Sequence, residues 1–344
     1  MGVNGTLGVD VFGQRYHSWR AGRFDAQAAE GDRDAVVMAL TTRVAQAYFD
    51  LLAARESLSL SQEQLQASES VLELTQLRYQ ASGDSTGLDV LQQRQQTEGT
   101  RVRVPQAQLS EALAVQRLNL LLGRPAYAEI PQISGDVPEL PDQPALGTPL
   151  DLLDSRPDLR AAASRLDAAR MRKTSATVAL LPSLGVSAGA GQQFIDTSDV
   201  TWQDYWNVGV SASVPLFNGG SVHQGVRQAR AGERGAARSL DVALLTAIQE
   251  VEAALEQERQ QAAVLVATRA QLDAAKASFE NAQLRYSQGL VTYQQVLTSL
   301  SALQAVQQSE LSARRSLLDV RLALHQSLGG SWTTQAANAS EGAR

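Results

Sequence analysis

A four-residue segment, Gln-Leu-Arg-Tyr, occurs twice in this chain, at positions 76–79 and again 207 residues later at 283–286. Each copy closes a long proline-free segment in which an apolar residue recurs every seven positions. The first series is Val37, Val44, Leu51, Leu58, Leu65, Leu72 and Tyr79, and the second is Leu244, Val251, Leu265, Leu272, Phe279 and Tyr286, interrupted only by Glu258. A seven-residue period is typical of helices that wind around each other. The sequence therefore predicts two long helices that pack together or against other copies of the chain.

Both copies are followed by a short glycine-containing stretch, which we expect to end the helix. Gly83 and Gly289 can adopt the positive φ at which many helices terminate. Thr86 and Thr292 then stand where an N-cap belongs. Each has a possible capping-box partner three residues later, namely Asp89 and Gln295. The sequence therefore predicts two antiparallel helical hairpins.

Three short segments alternate between apolar residues and small or polar ones, as half-buried strands do. They run from Val3 to Val11, from Ser183 to Gly191 and from Trp206 to Leu216. Strands of about 9–11 residues with one apolar face are typical of β-barrels that cross a membrane. Aromatic residues lie near the ends of these strands, as expected at a membrane interface: Phe12, Phe194, Trp202, Tyr205, Trp206 and Phe217.

The composition argues against several function classes. The net charge is −6 and no basic run is interleaved with aromatic residues, so nucleic acid is not an expected partner. His17, His223 and His325 lack the spacing of a metal site. No catalytic triad or pair of catalytic carboxylates stands out. We expect no metal, no cofactor and no enzymatic activity.

The two long segments, 15–80 and 221–287, would form helices of about 100 Å at 1.5 Å per residue. The three predicted strands are too few to close a barrel, and unpaired strand edges are very costly in lipid. Several chains must therefore share one barrel. A shared β-barrel that continues into a bundle of very long helices is a tunnel.

Short motifs follow one another along residues 1–332 in a specific order and spacing. They are Val9-Asp10-Val11-Phe12-Gly13, Ala45-Gln46-Ala47-Tyr48-Phe49, the two Arg-Tyr tips, Leu122-Gly123-Arg124-Pro125, Arg156-Pro157-Asp158-Leu159-Arg160, Pro182 before a strand, Val214-Pro215-Leu216-Phe217-Asn218-Gly219-Gly220 and Leu328-Gly329-Gly330-Ser331-Trp332. Together they resemble the TolC-type outer-membrane efflux proteins, especially the NodT-like lipoprotein branch that serves tripartite resistance-nodulation-division (RND) pumps.

The resemblance implies a fold that is mainly α with membrane β-strands. Duplicated strand and long-helix hairpin units would build a trimeric α-helical barrel continued by a shared outer-membrane β-barrel. The implied function is a passive exit duct for drugs or other small molecules, in the outer membrane of a Gram-negative bacterium and extending into the periplasm. The implied partners are two further copies of the chain, a periplasmic adaptor (membrane fusion protein), an inner-membrane RND transporter and outer-membrane lipid.

Two alternatives to a drug-efflux duct stay open at this point. One is the outer-membrane duct of a type I protein secretion system, which the resemblance also allows. The other is a soluble coiled-coil interaction protein, against which the three strands with apolar faces argue.

By the same resemblance, the two hairpin tips form the periplasmic gate and the surface on which the adaptor docks. The residues concerned are Arg78, Tyr79, Gly83, Asp84 and Asp89 in the first tip, and Arg285, Tyr286, Gly289, Gln294 and Thr298 in the second. A charge-assisted bond from Arg285 and Tyr286 to Asp84 or Asp89 of a neighbouring hairpin would hold the gate closed. The alternative is that the two tyrosines mainly pack in the helix seam and that the two arginines are solvated.

The chain departs from the family pattern at several positions. Thr298 stands where the second tip often carries an acidic residue, which leaves Asp89 as the nearer candidate for a ring of gate carboxylates. Ala163 replaces a glutamate, and residues 170–174 replace a small, glycine-containing stretch. Members of the branch carry a signal peptide, a lipid-bearing cysteine, further helix and one more strand before the point where this sequence begins. We therefore expect Met1 to be a mis-assigned start or the product to be inactive, and the complete protein to be a detergent-extractable trimer.

The expected domain organisation is two repeats joined by an irregular linker. The first repeat covers residues 1–124, with its N-terminal part missing, and the second covers 150–332. The linker, 125–149, holds six of the ten prolines, and we expect a disordered tail at 333–344. Pro105 lies within the first descending helix, where it should kink or interrupt that helix. An independent helix start at Pro105 is the alternative.

Overall fold

The computed structural model describes residues 2–81, 86–129, 138, 140, 151–197 and 199–330. Within them, helices predominate, as the sequence predicts. The elements are β1 (Gly2–Val9), α1 (Gln14–Ala81), α2 (Gly87–Leu121), α3 (Asp151–Ser155), α4 (Pro157–Val178), β2 (Ser183–Thr197), β3 (Asp199–Ser213), α5 (Ser221–Ser287) and α6 (Tyr293–Ser327). The two long helices, α1 and α5, match their predicted bounds to within one residue at each end.

The chain divides into two compact units, and each is described by itself. The first unit comprises Met1–Val36 and Thr148–Ile248, and includes the strands. The second comprises Val37–Gly147 and Gln249–Arg344, and includes both hairpin tips.

The three strands of the first unit form an antiparallel sheet in the order β1-β2-β3. Their register aligns apolar residues across the sheet, so that Leu7, Val186 and Val210 share one face. Thr6, Ser187 and Gly209 lie one step along and share the other. The predicted alternation is therefore confirmed for the paired residues. The bounds differ, because β1 ends at Val9 and the β2–β3 hairpin extends by pairing to Thr197 and Asp199.

Helices α1 and α4 pack closely within the first unit because a glycine faces the contact. A Cβ atom on Gly31 would lie 2.9 Å from the carbonyl oxygen of Pro157 and 3.0 Å from the Cβ of Ala161. Ion pairs between Arg165 and Asp32 and between Arg172 and Asp25 flank this contact. Lys173 of α4 also pairs with Glu233 of α5 at 2.7 Å.

The seven-residue apolar series contributes to the core of the second unit only in part. Leu51 and Tyr286 are almost fully buried, but Tyr79 is 52% exposed and Val37 is 48% exposed. Between Leu51 and Tyr79, the buried residues of α1 do not coincide with the predicted series, although some lie next to it; they are Leu52, Ser61, Gln64, Ser68, Val71 and Thr75. A straight α-helix drifts by about 20° per heptad against a strict seven-residue repeat, so one face cannot stay buried along all of α1.

Polar side chains therefore fill a layer of the helix packing in the second unit. Gln64 and Gln304 are both buried, and each side-chain amide donates to the backbone carbonyl of the other residue, at 3.1 and 3.4 Å. Gln93 of α2 donates to the Ser68 carbonyl of α1 at 2.9 Å. Hydrogen bonds of this kind offset the cost of burying the amides. They also fix the register of α1 against α2 and α6.

In the descending helices, the structure differs from the sequence-based expectations at two places, namely Pro105 within α2 and the start of α6. Helix α2 runs unbroken through Pro105, so the independent helix start is wrong. Thr86 caps α2 in a complete capping box, whereas Thr292 occupies the N-cap of α6 without a side-chain bond, so Gln295 completes no box.

One 18-residue window of α1 reaches a mean hydropathy of 1.2, enough by length and composition for a membrane span. Alanine-rich core helices of soluble bundles reach the same value, so this window assigns no span by itself.

Candidate functional site at the hairpin tips

The second tip is a tight helix ending followed directly by a new helix. Gly289 has φ +77°, its N–H donates to the Tyr286 carbonyl at 3.0 Å, and the N–H of Leu290 donates to the Arg285 carbonyl at 2.9 Å. This pair of bonds is the Schellman ending, which needs a residue with positive φ and so favours glycine. The sequence prediction that Gly289 ends the helix is confirmed.

The first tip is described only at its two ends. Helix α1 ends at Ala81, and the predicted tip residues Gly83 and Asp84 lie outside the described residues. At the start of α2, the Asp89 N–H donates to Thr86 Oγ1 at 3.2 Å and the Thr86 N–H donates to Asp89 Oδ2 at 2.8 Å. Asp89 therefore serves its own helix as part of the capping box.

Tyr286 lies in an apolar cluster that joins three helices. It is 2% exposed and packs with Val71 of α1 and with Tyr293, Val296 and Leu300 of α6. The Tyr286 and Tyr293 rings meet edge to face, with centroids 6.5 Å apart. The structure thus places Tyr286 in the helix seam, which is the packing alternative raised by the sequence.

Arg78 reaches across from the end of α1 to the end of α5. Its guanidinium carbon lies 4.4 Å from the centroid of the Tyr286 ring, and its Nη1 donates to the Tyr286 backbone carbonyl. The carbonyls at a helix C-terminus carry partial negative charge, so this cation is well placed. A Cβ on Gly289 would sit 3.5 Å from Arg78 Nη2. We call the contact of Arg78 with Tyr286 the tip clasp. For Arg78, it contradicts the alternative that the arginine is simply solvated.

The remaining predicted tip residues are exposed. Tyr79 is 52% exposed, and Arg285, Gln294 and Thr298 are exposed on the α5–α6 hairpin. Arg285, Gln294 and Thr298 line a groove of about 820 Å³, which we call the tip groove; the other residues lining it are Ala274, Ala277, Ser278, Asn281, Ala282, Val291, Gln295, Ser299 and Ala302.

The electrostatics of the tip core suit a structural role. Burial, followed by the negative charge of Asp89, raises the pKa of Tyr293 well above its usual value. The neutral hydroxyl donates to Gln93 Oε1 at 2.9 Å. Within the described part of the chain, no group of three or more potential metal ligands occurs. The described contacts of the tip core are apolar packing and hydrogen bonds between helices.

Sequence reasoning missed the buried amide layer that supports the tips, formed by Gln64, Gln93 and Gln304 with Tyr293. Its only sequence signal is the recurrence of small and amide residues at spacings of three and four, as in Ser61, Gln64 and Ser68. That pattern also occurs on solvated helix faces, so it does not by itself predict burial.

Comparison with protein families gives a match over most of the chain. The family model described as outer membrane efflux protein matches residues 1–124 and 149–330. The chain is 29% identical over 332 residues to the pyoverdine export outer membrane protein OpmQ of Pseudomonas aeruginosa, covering 96% of this chain and 70% of that protein. It is 29% identical over 344 residues to the probable efflux pump outer membrane protein TtgC of Pseudomonas putida, covering 98% of this chain and 71% of that protein.

Solved structures show the same fold. The outer-membrane channel OprN matches with a TM-score of 0.86 and 27% identity, over 96% of this chain and 75% of that chain. CusC, whose structures describe transmembrane channel formation, matches with a TM-score of 0.85 and 25% identity, over 96% and 77% of the two chains. With the family model matching well over half of its residues, this chain belongs to the outer membrane efflux protein family.

Proposed function

We propose that three copies of this chain form a passive exit duct for drugs or other small molecules, driven by an inner-membrane RND transporter and joined to it by a periplasmic adaptor. Because it belongs to this family, the protein is the outer-membrane channel component of an efflux system. The channel extends from the outer membrane into the periplasm. The proposal adds the trimer, the partners and the role of the hairpin tips.

The exposed apolar face of the sheet is the observation that carries the membrane part of this proposal. Val3, Trp206, Val208 and Val210 are between 64% and 81% exposed, although all four lie on one face of paired strands. A soluble protein rarely leaves such a patch open, whereas a barrel wall presents it to lipid. The opposite face offers Asn4, Thr6, Ser187, Ser211 and several glycines, which suits a water-filled lumen.

The trimer is supported by the open edges of the sheet. Among the described strands, β1 and β3 each have a neighbour on one side only. Unsatisfied backbone groups at such edges are very costly in lipid, so we expect strands beyond the three described, including strands of other copies, to complete the barrel. Rotational symmetry allows the same pair of edges to close the ring in every copy.

We assign the tips to gating and adaptor docking because their side chains divide into two groups. Tyr286 and Arg78 tie α1, α5 and α6 together within one chain, whereas Tyr79, Arg285, Gln294 and Thr298 stay exposed. Exposed side chains around a rigid core provide contacts that can form and break without unfolding the hairpin.

Deletion of the gene tests the function. The deletion strain should retain a fluorescent pump substrate as strongly as wild-type cells treated with a protonophore, and complementation should restore efflux. The protein should fractionate with the outer membrane and, in detergent, have the mass of a trimer. Unchanged dye efflux in the deletion strain, or a monomer that remains soluble without detergent, would contradict the proposal.

A further inference from the structure

The tip clasp uses only half of the side chains that the internal duplication supplies. The duplication relates Arg78 to Arg285 and Tyr79 to Tyr286, each pair being 207 residues apart. Arg78 stacks on Tyr286, but the complementary pair, Arg285 and Tyr79, does not meet within the chain. Among the described residues, the side chains of Arg285 and Tyr79 form no hydrogen bond, ion pair or ring contact, and Tyr79 is 52% exposed.

The helix face that surrounds Arg285 is also unused. On α1, the face next to Arg78 includes Val71 and Leu74, which pack against the apolar cluster of Tyr286. The residues 207 positions later are Ser278 and Asn281, and both are exposed and line the tip groove beside Arg285. In the first repeat, this helix face of α1 makes the contact within a copy. In the second repeat, the equivalent face of α5 lines an open groove.

A contact of this kind is directional. Within a copy, the first hairpin supplies the arginine of the clasp and the second supplies the tyrosine. The second hairpin therefore keeps an unused arginine, Arg285, and the first keeps an unused tyrosine, Tyr79. Directional contacts between identical copies generate closed rings when the rotation closes. In a ring in which first and second hairpins alternate, the unused Arg285 and Tyr79 can form the contacts between neighbouring copies.

We propose that Arg285 of one copy stacks on Tyr79 of the partner subunit, with the end of that subunit's first long helix seated in the tip groove. The contact repeats the tip clasp between copies, so that six similar clasps would alternate around a trimer, three within copies and three between them. This inference rests on the trimer of the proposed function. Cation–π contacts of arginine with tyrosine are attractive, more so when water is excluded.

The two kinds of clasp differ in the surface that supports them. Within a copy, Val71 and Leu74 provide apolar contacts, whereas between copies Ser278 and Asn281 take their places. Less apolar surface is buried between copies, and burial of apolar surface is the main source of stability in such contacts. The seam between copies is therefore the weaker one and is the seam that parts when the tips open.

Cysteine cross-linking tests the contact cleanly because the chain has no cysteine. Two single variants, Tyr79→Cys with one affinity tag and Arg285→Cys with another, are co-expressed as full chains and treated in membranes with a short bis-maleimide. Denaturing gels should show a covalent dimer that carries both tags. The double variant Arg78→Cys with Tyr286→Cys calibrates the reach of the reagent and should give only a cross-linked monomer.

A second pair of variants separates ring stacking from a carboxylate contact. Tyr79→Phe keeps the aromatic face and should leave the resistance of the trimer to dissociation by dodecyl sulfate unchanged, whereas Tyr79→Leu should lower it. A trimer whose Arg285→Cys links efficiently to Asp89→Cys but not to Tyr79→Cys would overturn this inference and leave the proposed function intact. A protein that is not trimeric by native mass spectrometry would overturn both.

Discussion

Arg321 of α6 and Glu258 of α5 form a bidentate ion pair in the interior of the second unit, with N–O distances of 2.9 and 2.7 Å. Their side chains are only 8% and 5% exposed. Glu258 is the one residue that interrupts the second apolar series, so the interruption is a buried charge with a matching partner on the facing helix. Because the pair forms in one register only, it fixes how α5 and α6 align.

Breaking this pair on one side should be strongly destabilising. Glu258→Leu leaves the Arg321 guanidinium buried without its counter-charge, which typically costs about 3–5 kcal/mol of unfolding free energy. The double change Glu258→Leu with Arg321→Leu should recover most of that loss. Thermal unfolding in detergent, followed by circular dichroism, measures both.

The exposed pair Glu256–Arg259 is the matched control for this experiment. Its N–O distance is 2.9 Å, but its side chains are 55% and 73% exposed. Glu256→Leu should change stability little, since exposed ion pairs are screened by water. Equal losses from Glu256→Leu and Glu258→Leu would show that burial of the Glu258 pair is unimportant.

Gly31 makes a second specific prediction, about the close contact of α1 with α4. Gly31→Ala would place its Cβ against the backbone of Pro157 and Ala161 and should cost about 1–3 kcal/mol of stability through overpacking. Gly22→Ala on the same helix meets nothing within 4 Å and should instead stabilise the helix by about 0.5–1 kcal/mol. The two variants should therefore move the unfolding midpoint in opposite directions, and a shared direction would refute the contact.

The sequence predicted the elements well because their ends carry local signals. Helix α5 begins at Ser221 after two glycines and ends before Gly289, and no proline lies between. Local chemistry determines such boundaries. The alternation of the strands likewise reflects the geometry of a single strand and needs no knowledge of its neighbours.

Partners across helices were not predictable in the same way. The apolar series predicted one buried face of α1, but it did not predict that Gln64 and Ser68 are buried as well. These two residues are buried because Gln304 and Gln93 lie opposite them on other helices. The clasp of Arg78 on Tyr286 joins residues 208 positions apart. No local rule distinguishes that arginine from Arg285, which has the same neighbours in sequence and remains exposed.

Tyr293 makes a third prediction, about the buried amide layer. Tyr293→Phe removes the donor to Gln93 Oε1 and leaves that oxygen buried without it, which should cost about 1–3 kcal/mol. Burial, and secondarily the charge of Asp89, raises the pKa of Tyr293, so in the native state the phenol stays protonated. Its contribution to stability is complete below about pH 10, the unfolded value, and is lost as the pH rises further.

The alkaline limb of the stability curve tests this assignment. Wild-type protein should lose stability above about pH 10, and Tyr293→Phe should remove part of that slope. A slope that Tyr293→Phe does not change would remove Tyr293 from the titration.

His325 makes a fourth prediction on the acid side. Burial, and next the positive charge of Arg321, lowers the pKa of His325, although Glu258 acts in the opposite sense. The native state therefore favours neutral imidazole, so the stability that His325 contributes is complete above about pH 6.5 and is lost as the pH falls through the lowered native value. His325→Gln should flatten the fall of the unfolding midpoint below about pH 6.5. A fall in His325→Gln as steep as that in wild-type protein would remove His325 from the acid limb.

The last prediction concerns the seam that opens. Ser278→Val with Asn281→Leu gives the tip groove the apolar character that Val71 and Leu74 have within a copy. If the partner subunit's first helix occupies this groove, the added apolar contacts should hold the closed tips together. The trimer should then resist dissociation by dodecyl sulfate more strongly, and the resting conductance in planar bilayers should fall below that of wild type. Lys276→Val with Glu280→Leu adds apolar surface to exposed positions outside the groove and controls for a general increase in hydrophobicity. Equal conductance in the two double variants would show that the groove is not part of the closing seam.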